Sequence, residues 1–410
     1  MTRRVVVTGM GIVSPIGNDI ASFSRALQSG RHGIGPITCF DTTEYKATLC
    51  AAVKNFNPRD YMENAEILRS DPAARFAMAA ACQAVEDSGI MGTLPPDRIG
   101  VYFGTGIGGI QTFAAEMDKL RAKGPRRVSP YFVPMMIANM ASGMIAIRFN
   151  CRGAALATVT ACASGSNAIG EALRAIRHGY CDAVIAGGAE AAVSECSVAG
   201  FINMQALSVS SDPDAASLPF DSRRTGFVIG EGAGALVLEE YEHALGRGAA
   251  IYGEVCGYGS SCDAFHITAP HPEGLGAVDA MKAALEEAGF TADTRLYINA
   301  HGTGTPLNDA METRAIKTVL GAEKAVQTPV SSTKSMTGHM LGASGAAEAI
   351  ASLLALRDGI LPPTVGLLSP DPECDLDYVP LTARKAEIDL ALSNSLGFGG
   401  HNACLAFRKV

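Results

Sequence analysis

The sequence predicts an α/β fold assembled from two similar halves, and three observations carry that expectation. Short apolar runs alternate with Ala-rich amphipathic segments, the pattern of strands alternating with helices. Three segments of the first half recur in the same order in the second. At 410 residues, 48% hydrophobic and 18% charged, the chain also has enough apolar mass to bury several layers of structure.

Along the chain, "RRVVVTG" from Arg3 is the first strand. Its arginines and apolar run resemble a signal peptide, but Gly9, Gly11, Pro15 and Gly17 break the run and no small-residue cleavage site follows. "AMAAACQAVEDSGI" from Ala77 is a helix stopped by Gly89. "RIGVYFG" from Arg98 is a strand ending in Gly104-Thr105-Gly106. Residues 128–147 form the longest uncharged stretch; Pro130, Pro134, Asn139, Ser142 and Gly143 suit an interface or pocket wall, not a membrane span. "AALATVTA" from Ala154 is a strand leading through Cys162 into the helix "ASGSNAIGEALRAIRHG", and "DAVIAGG" from Asp182 is another strand. The second half supplies the helix "AVDAMKAALEEAGF" from Ala277, the strands "LYINAHG" from Leu296 and "TPVSST" from Thr328, and the helix "ASGAAEAIASLLALRDG" from Ala343.

The repeats are collinear. The Ala77 and Ala277 segments match at an offset of 200 with five identities, the two Gly-Thr-Gly strand ends follow, and the two "ASG" helices match at an offset of 180 with seven identities in 17. Ala-rich helices resemble one another by chance, but three matches in one order indicate duplication. The expected division lies near "LGRGAAIYGE", giving halves 1–250 and 251–410. If these pack about a pseudo-twofold axis, equivalent strand ends bring Cys162, His301 and His339 to one site.

Composition narrows the function. With 41 acidic and 33 basic residues the net charge is -8, and no basic stripe with interleaved aromatics offsets that field, so no nucleic-acid partner is expected. Eleven cysteines, an odd number without a CxxC pair, point to a reducing cytoplasm and away from zinc knuckles or a disulfide framework. Neither a membrane association nor a metal is expected.

Free cysteine is commonly core filler. Cys162, however, stands at a strand-to-helix turn, where the helix dipole and unpaired N–H groups are expected to lower a thiol pKa and offer an oxyanion hole. His301 in "NAHGTGTPLND" and His339 in "SSTKSMTGHMLGASG" sit among the small residues that a tight polar site requires. Lys334, in the same loop as His339, is read as a buried ammonium paired with Glu348 on the following helix. The rival reading is a nucleotide-dependent oxidoreductase. "GTGIGG" at 104–109 fits GxGxxG and "VVVTGMG" is similar to the opening of a dinucleotide site, but the acidic residue expected downstream is misplaced.

Together "VVVTGMGIVSPIG", "TACASGSNAIGEALRAI", "PFDSRRTGFVIGEGAGALVLEEYEHA", "NAHGTGTPLND", "SSTKSMTGHMLGASGAAE" and "SNSLGFGGHNA" resemble the β-ketoacyl-acyl carrier protein synthases, the thiolase-fold condensing enzymes, over residues 3–408. The resemblance implies pseudo-twofold α/β halves in an αβαβα layering and a decarboxylative Claisen condensation. Cys162 would take an acyl chain from acyl carrier protein. His301 and His339 would donate to the malonyl thioester carbonyl, and the N–H groups of Cys162 and Phe398 would hold the tetrahedral oxyanion. Lys334 and Glu348 would support the histidines electrostatically. Thr303, Thr305 and Gly399 would contact substrate, and Ile107 would gate the acyl pocket as in type II synthases.

The Cys-His-His set departs from priming synthases, from thiolases with a second cysteine, and from chain-length-factor subunits lacking the nucleophile. A type II polyketide ketosynthase is the near alternative. The family implies a cytoplasmic homodimer without a cofactor, phosphopantetheine arriving on the carrier protein. Lys123, Arg126 and Arg127, with Lys119 and Arg121, are the expected carrier-docking cluster. "YMENAEILRS" is poor in the basic residues family members often carry there, leaving Arg69, and Ser210 stands where an arginine is common.

Overall fold

The computed structural model describes residues 3–410. Ten strands carry the architecture: β1 Val5–Val13, β2 Ile99–Gly104, β3 Ala155–Thr158, β4 Ala183–Glu190, β5 Gly232–Glu240, β6 Gly253–Cys262, β7 Leu296–Asn299, β8 Val330–Ser331, β9 Leu390–Gly397 and β10 His401–Arg408. Seven helices matter here: α1 Pro72–Ser88, α2 Ile110–Lys123, α3 Met140–Phe149, α4 Ser164–Arg177, α5 Leu275–Glu287, α6 Pro306–Leu320 and α7 Ser344–Asp358.

The strand order is β8-β7-β9-β10-β6-β1-β5-β4-β2-β3, which is the same arrangement twice. In each five-strand set the third, second and fourth strands run parallel, and the fourth, fifth and first are antiparallel neighbours. A short antiparallel pairing of Val6 and Val7 with Glu254 and Gly253 joins β1 to β6. Helix α1 packs on β1, β4 and β5, α5 packs on β6 and β10, and α4 and α7 lie between the sheets against each other, giving five layers. Most strands are buried on both faces, the edge strand β3 being the exception. In β5, Leu236 and Leu238 enter the central core while Ala233, Ala235 and Val237 enter the outer one under α1.

The repeated alanines have a steric cause. A Cβ at Gly9 or Gly11 of β1 would lie 2.1 or 2.0 Å from the carbonyl oxygens of Ala84 and Ala80; at Gly257 or Gly259 of β6 it would lie 2.1 or 1.9 Å from those of Ala284 and Ala280. Each outer helix thus sits directly on strand backbone, which only glycine opposite alanine allows. Gly9 and Gly11 are therefore packing residues inside a strand, which is a further argument against the rival dinucleotide reading.

Candidate active site

Cys162 lies in a single 3-10 turn, Ala161–Ala163, between β3 and α4. Ser164 holds that turn: its hydroxyl accepts from the Thr160 N–H at 2.9 Å and donates to the Ala161 carbonyl at 2.7 Å. Ala161 has φ 50°, a left-handed conformation that an L-residue adopts under constraint. The equivalent turn of the other half, Leu341–Ala343 before α7, has Leu341 at φ 47°. The two turns press together. A Cβ at Gly165 would approach the Gly342 carbonyl oxygen to 2.9 Å, so glycine there sets how near the cysteine and histidine loops can come.

That approach assembles the predicted trio. His339 Nε2 lies 3.0 Å from Cys162 Sγ, and its Nδ1 lies 3.0 Å from the Ser344 hydroxyl. The His301 and His339 rings are 5.3 Å apart and nearly perpendicular, and a donor atom from each of Cys162, His301 and His339 falls within 4.8 Å of the others. His301 follows β7, and its backbone N–H and that of Gly302 each donate to the Glu312 carboxylate at 2.8 Å. All three side chains are buried.

Electrostatics define their states. Burial, then the Lys334 charge, push both imidazoles well below the usual histidine range, so each is neutral and has one N–H to donate. Burial also pushes the Cys162 thiol up to about 12, opposed by Lys334 and by the backbone N–H groups of Phe398 and of Cys162 itself. This reverses the expectation of a lowered thiol pKa: desolvation outweighs the helix N-terminus, and the resting group is a thiol. The same N–H pair converges on Sγ, where a tetrahedral oxyanion would need donors.

Lys334 and Glu348 are buried and paired with each other. Burial holds the Glu348 carboxyl at about 7 despite that cation. The side-chain polar atoms of Asn299 and Ser393 on neighbouring strands, Asn394 Oδ1, Glu348 Oε2 and His301 Nδ1 are buried without a hydrogen-bond partner among the described residues.

A cavity of about 540 Å³ meets the trio and is lined by Ile107, Phe201, Phe227, Thr303, Thr305 and Phe398 among others. It reaches the surface at exposed Met204, Gln205, Thr268 and Leu307. Gly399 is not in its wall: at φ +83° it turns outward and is exposed, while its neighbours Phe398 and Gly400 line the space. Lys123, Arg126 and Arg127 are exposed at the end of α2, as are Lys119 and Arg121, and none of them lines the cavity. Residues 128–147 do not line it either. "GTGIGG" does connect β2 to α2, but the Gly106 and Ile107 N–H groups are taken by the Glu190 carboxylate at 2.7 and 3.3 Å. An anion there would meet a carboxylate, which removes the dinucleotide reading.

Sequence reasoning missed Glu190, Glu312 and Ser344. Glu190 is an acid ending the otherwise apolar β4, and that break in pattern was the available signal; Glu312 lies on the polar-rich α6, where no such break marks it.

A family model for the β-ketoacyl synthase N-terminal domain matches residues 2–244, and one for the C-terminal domain matches residues 252–368. The chain is 52% identical over 409 residues to 3-oxoacyl-[acyl-carrier-protein] synthase 2 of Synechocystis sp., covering 99% of this chain and 98% of that protein. Among solved structures, the ishigamide ketosynthase/chain length factor superposes with a TM-score of 0.94 at 37% identity, covering 100% of both chains. A type II PKS acyl-carrier protein in complex with its ketosynthase bound to the hexaketide gives 0.91 at 34% identity, again covering 100% of both.

Proposed function

The chain belongs to the β-ketoacyl synthase family, and from that premise we propose that it is a condensing enzyme of fatty-acid elongation, a 3-oxoacyl-[acyl-carrier-protein] synthase of type 2. The observation that carries this reading is one thiol and two neutral imidazoles within 4.8 Å at the end of a mostly apolar cavity. The 52% identity to a 3-oxoacyl-[acyl-carrier-protein] synthase 2, against 34% to the ketosynthase of a type II PKS, favours elongation over a polyketide pathway.

In the first half-reaction Cys162 Sγ attacks the acyl thioester carbonyl of a loaded carrier protein. Its proton ends on the departing pantetheine sulfur, and the neutral His339, with Nε2 3.0 Å from Sγ, is placed to donate its N–H to the sulfur as negative charge develops there. In the second, a malonyl thioester enters with its carbonyl toward His301 and His339. Their N–H groups stabilise the enolate as the carboxylate leaves as CO2, and the carbanion attacks the acyl-Cys162 carbonyl. The N–H groups of Cys162 and Phe398 hold the oxyanion, which collapses to 3-oxoacyl carrier protein; the released Cys162 thiolate takes a proton from water. Neutral histidines suit this task because a charged imidazolium would hold the malonyl carboxylate rather than let it leave. Burial, with the Lys334 charge added to it, keeps them neutral, and that charge opposes binding of a dication by the same trio.

Phosphopantetheine, carried in by acyl carrier protein, would pass Thr303 and Thr305 from the opening at Met204, Gln205, Thr268 and Leu307; no resident cofactor is invoked. The basic cluster Lys123, Arg126 and Arg127 is the proposed docking face for an acidic carrier. A homodimer is supported by the open edge of β3, flanked by exposed Leu156, Val159, Val133, Ile137 and Ile147. That face favours the interface reading of the uncharged stretch 128–147 over the pocket one. The free cysteines suit a cytoplasmic setting, and among the described residues no helix is long and apolar enough to cross a membrane. Incubation with acyl- and malonyl-loaded carrier protein tests the function: a 3-oxoacyl carrier and one CO2 per turnover are expected, and no product with any saturated acyl carrier would contradict it.

A further inference from the structure

We propose that Glu190 is a positioning residue that clamps the Ile107 loop and thereby sets which acyl groups reach Cys162, an inference that rests on the acyl-transfer reading above. Glu190 ends β4 and is fully buried. Its Oε2 accepts from the Gly106 N–H at 2.7 Å and the Gly342 N–H at 3.1 Å. Its Oε1 accepts from the Thr105 hydroxyl at 3.0 Å and the Ile107 N–H at 3.3 Å. One carboxylate therefore ties the loop carrying Ile107 to the turn that follows His339. Among the described residues no cation pairs with it; burial pushes the carboxyl up to about 7, and these hydrogen bonds oppose that.

The other half shows what such a clamp does. There the loop entering Gly302-Thr303-Gly304 is gripped by the buried Glu312 through two backbone N–H groups, and the residue so fixed is His301. In the first half the corresponding loop follows Gly104-Thr105-Gly106, and the residue fixed is Ile107. Its side chain lines the cavity yet is 40% exposed, so packing does little to hold it and its backbone must. Gly106 is part of the device, since a Cβ there would lie 2.7 Å from Glu190 Oε2.

Two substitutions test this. Glu190→Gln keeps the shape but turns an acceptor oxygen toward backbone N–H groups into a donor; Thr105→Val removes one hydroxyl from the clamp and leaves the carboxylate. Folding is checked by thermal melting, integrity of the nucleophile by iodoacetamide labelling mapped to Cys162 by peptide mass and so separated from exposed Cys39, Cys196 and Cys262, and selectivity by the ratio of Cys162 acylation rates for a long and a short saturated acyl carrier. Full labelling with a long-to-short ratio displaced by about tenfold is expected, since losing a hydrogen bond to a charged group is worth roughly a decade. If Glu190→Gln does not fold, Thr105→Val decides alone. Folded variants that keep the wild-type ratio within about twofold reduce Glu190 to a structural acid and overturn the proposal. Wild-type protein that labels with iodoacetamide but is never acylated overturns the acyl-transfer reading itself, a result distinguishable from the former.

Discussion

His301→Ala separates the two half-reactions. The imidazole is buried, its Nδ1 has no protein partner, and the Glu312 carboxylate grips backbone rather than the ring, so truncation leaves no polar group newly orphaned. None of the groups that polarise Cys162 comes from His301: they are the Lys334 charge, His339 Nε2 at 3.0 Å and the N–H groups of Phe398 and Cys162. One of two donors to the developing enolate is lost, and a preorganised donor of this kind is worth about 2.7–4 kcal/mol, or roughly 10²–10³ in rate. Two assays on one preparation read the result: intact mass after mixing with acyl carrier protein, and release of labelled CO2 from malonyl carrier protein. Acyl loading should stay within about threefold of wild type while decarboxylation falls by at least about a hundredfold. Loading that falls as far as decarboxylation would refute the division of labour.

Lys334→Met leaves Glu348 buried beside no cation, a change that costs about 3–5 kcal/mol where the carboxylate is charged. Glu348 sits near 7 even with its partner and rises without it, so the loss should be larger at pH 8 than at pH 6 in chemical denaturation. Glu231 is held at about 7 by burial, against one hydrogen bond from the Val53 N–H. Because its folded pKa exceeds the unfolded one, the folded state holds the extra proton between about 4.5 and 7 and this group loses stability as pH rises through that window. Glu231→Gln should therefore gain on wild type from pH 5 to pH 8, by at most about 3 kcal/mol since the residue is partly open to solvent; an unchanged difference speaks against the assignment. Gly165→Ala drives a Cβ to 2.9 Å from the Gly342 carbonyl oxygen and should cost about 1–3 kcal/mol while slowing acylation, because it parts the cysteine and histidine turns. Ile147→Asp on the exposed face beside β3 should shift sedimentation toward a monomer; an unaltered dimer would place the interface elsewhere.

Much of this was readable from the chain. The repeated alanines at 80/280 and 84/284 marked real structural equivalents because they meet the same glycine-strand surface in each half. Cys162, His301 and His339 could be singled out because a tight polar site needs small neighbours, and those neighbours are contiguous in sequence. What escaped depends on pairings made only in three dimensions. Glu190 acquires its role from backbone N–H groups up to 152 residues away in the chain, and Glu312 from N–H groups only 10 and 11 residues before it that the turn after β7 brings back onto α6. The thiol pKa went the wrong way because helix position is written in the sequence, whereas desolvation is decided by which loops close over the sulfur. Gly399 was misplaced for a local reason: in a glycine-dense turn the backbone conformation decides which residue faces the cavity.

The central claim is that Cys162 is the acyl acceptor. It is tested most directly by intact-protein mass after mixing wild type and Cys162→Ala with a medium-chain acyl carrier protein under reducing conditions. A single acyl increment on wild type that maps to Cys162 and is absent from the variant is the predicted result. An increment that persists in Cys162→Ala, or none on folded wild type with any acyl carrier, would contradict it.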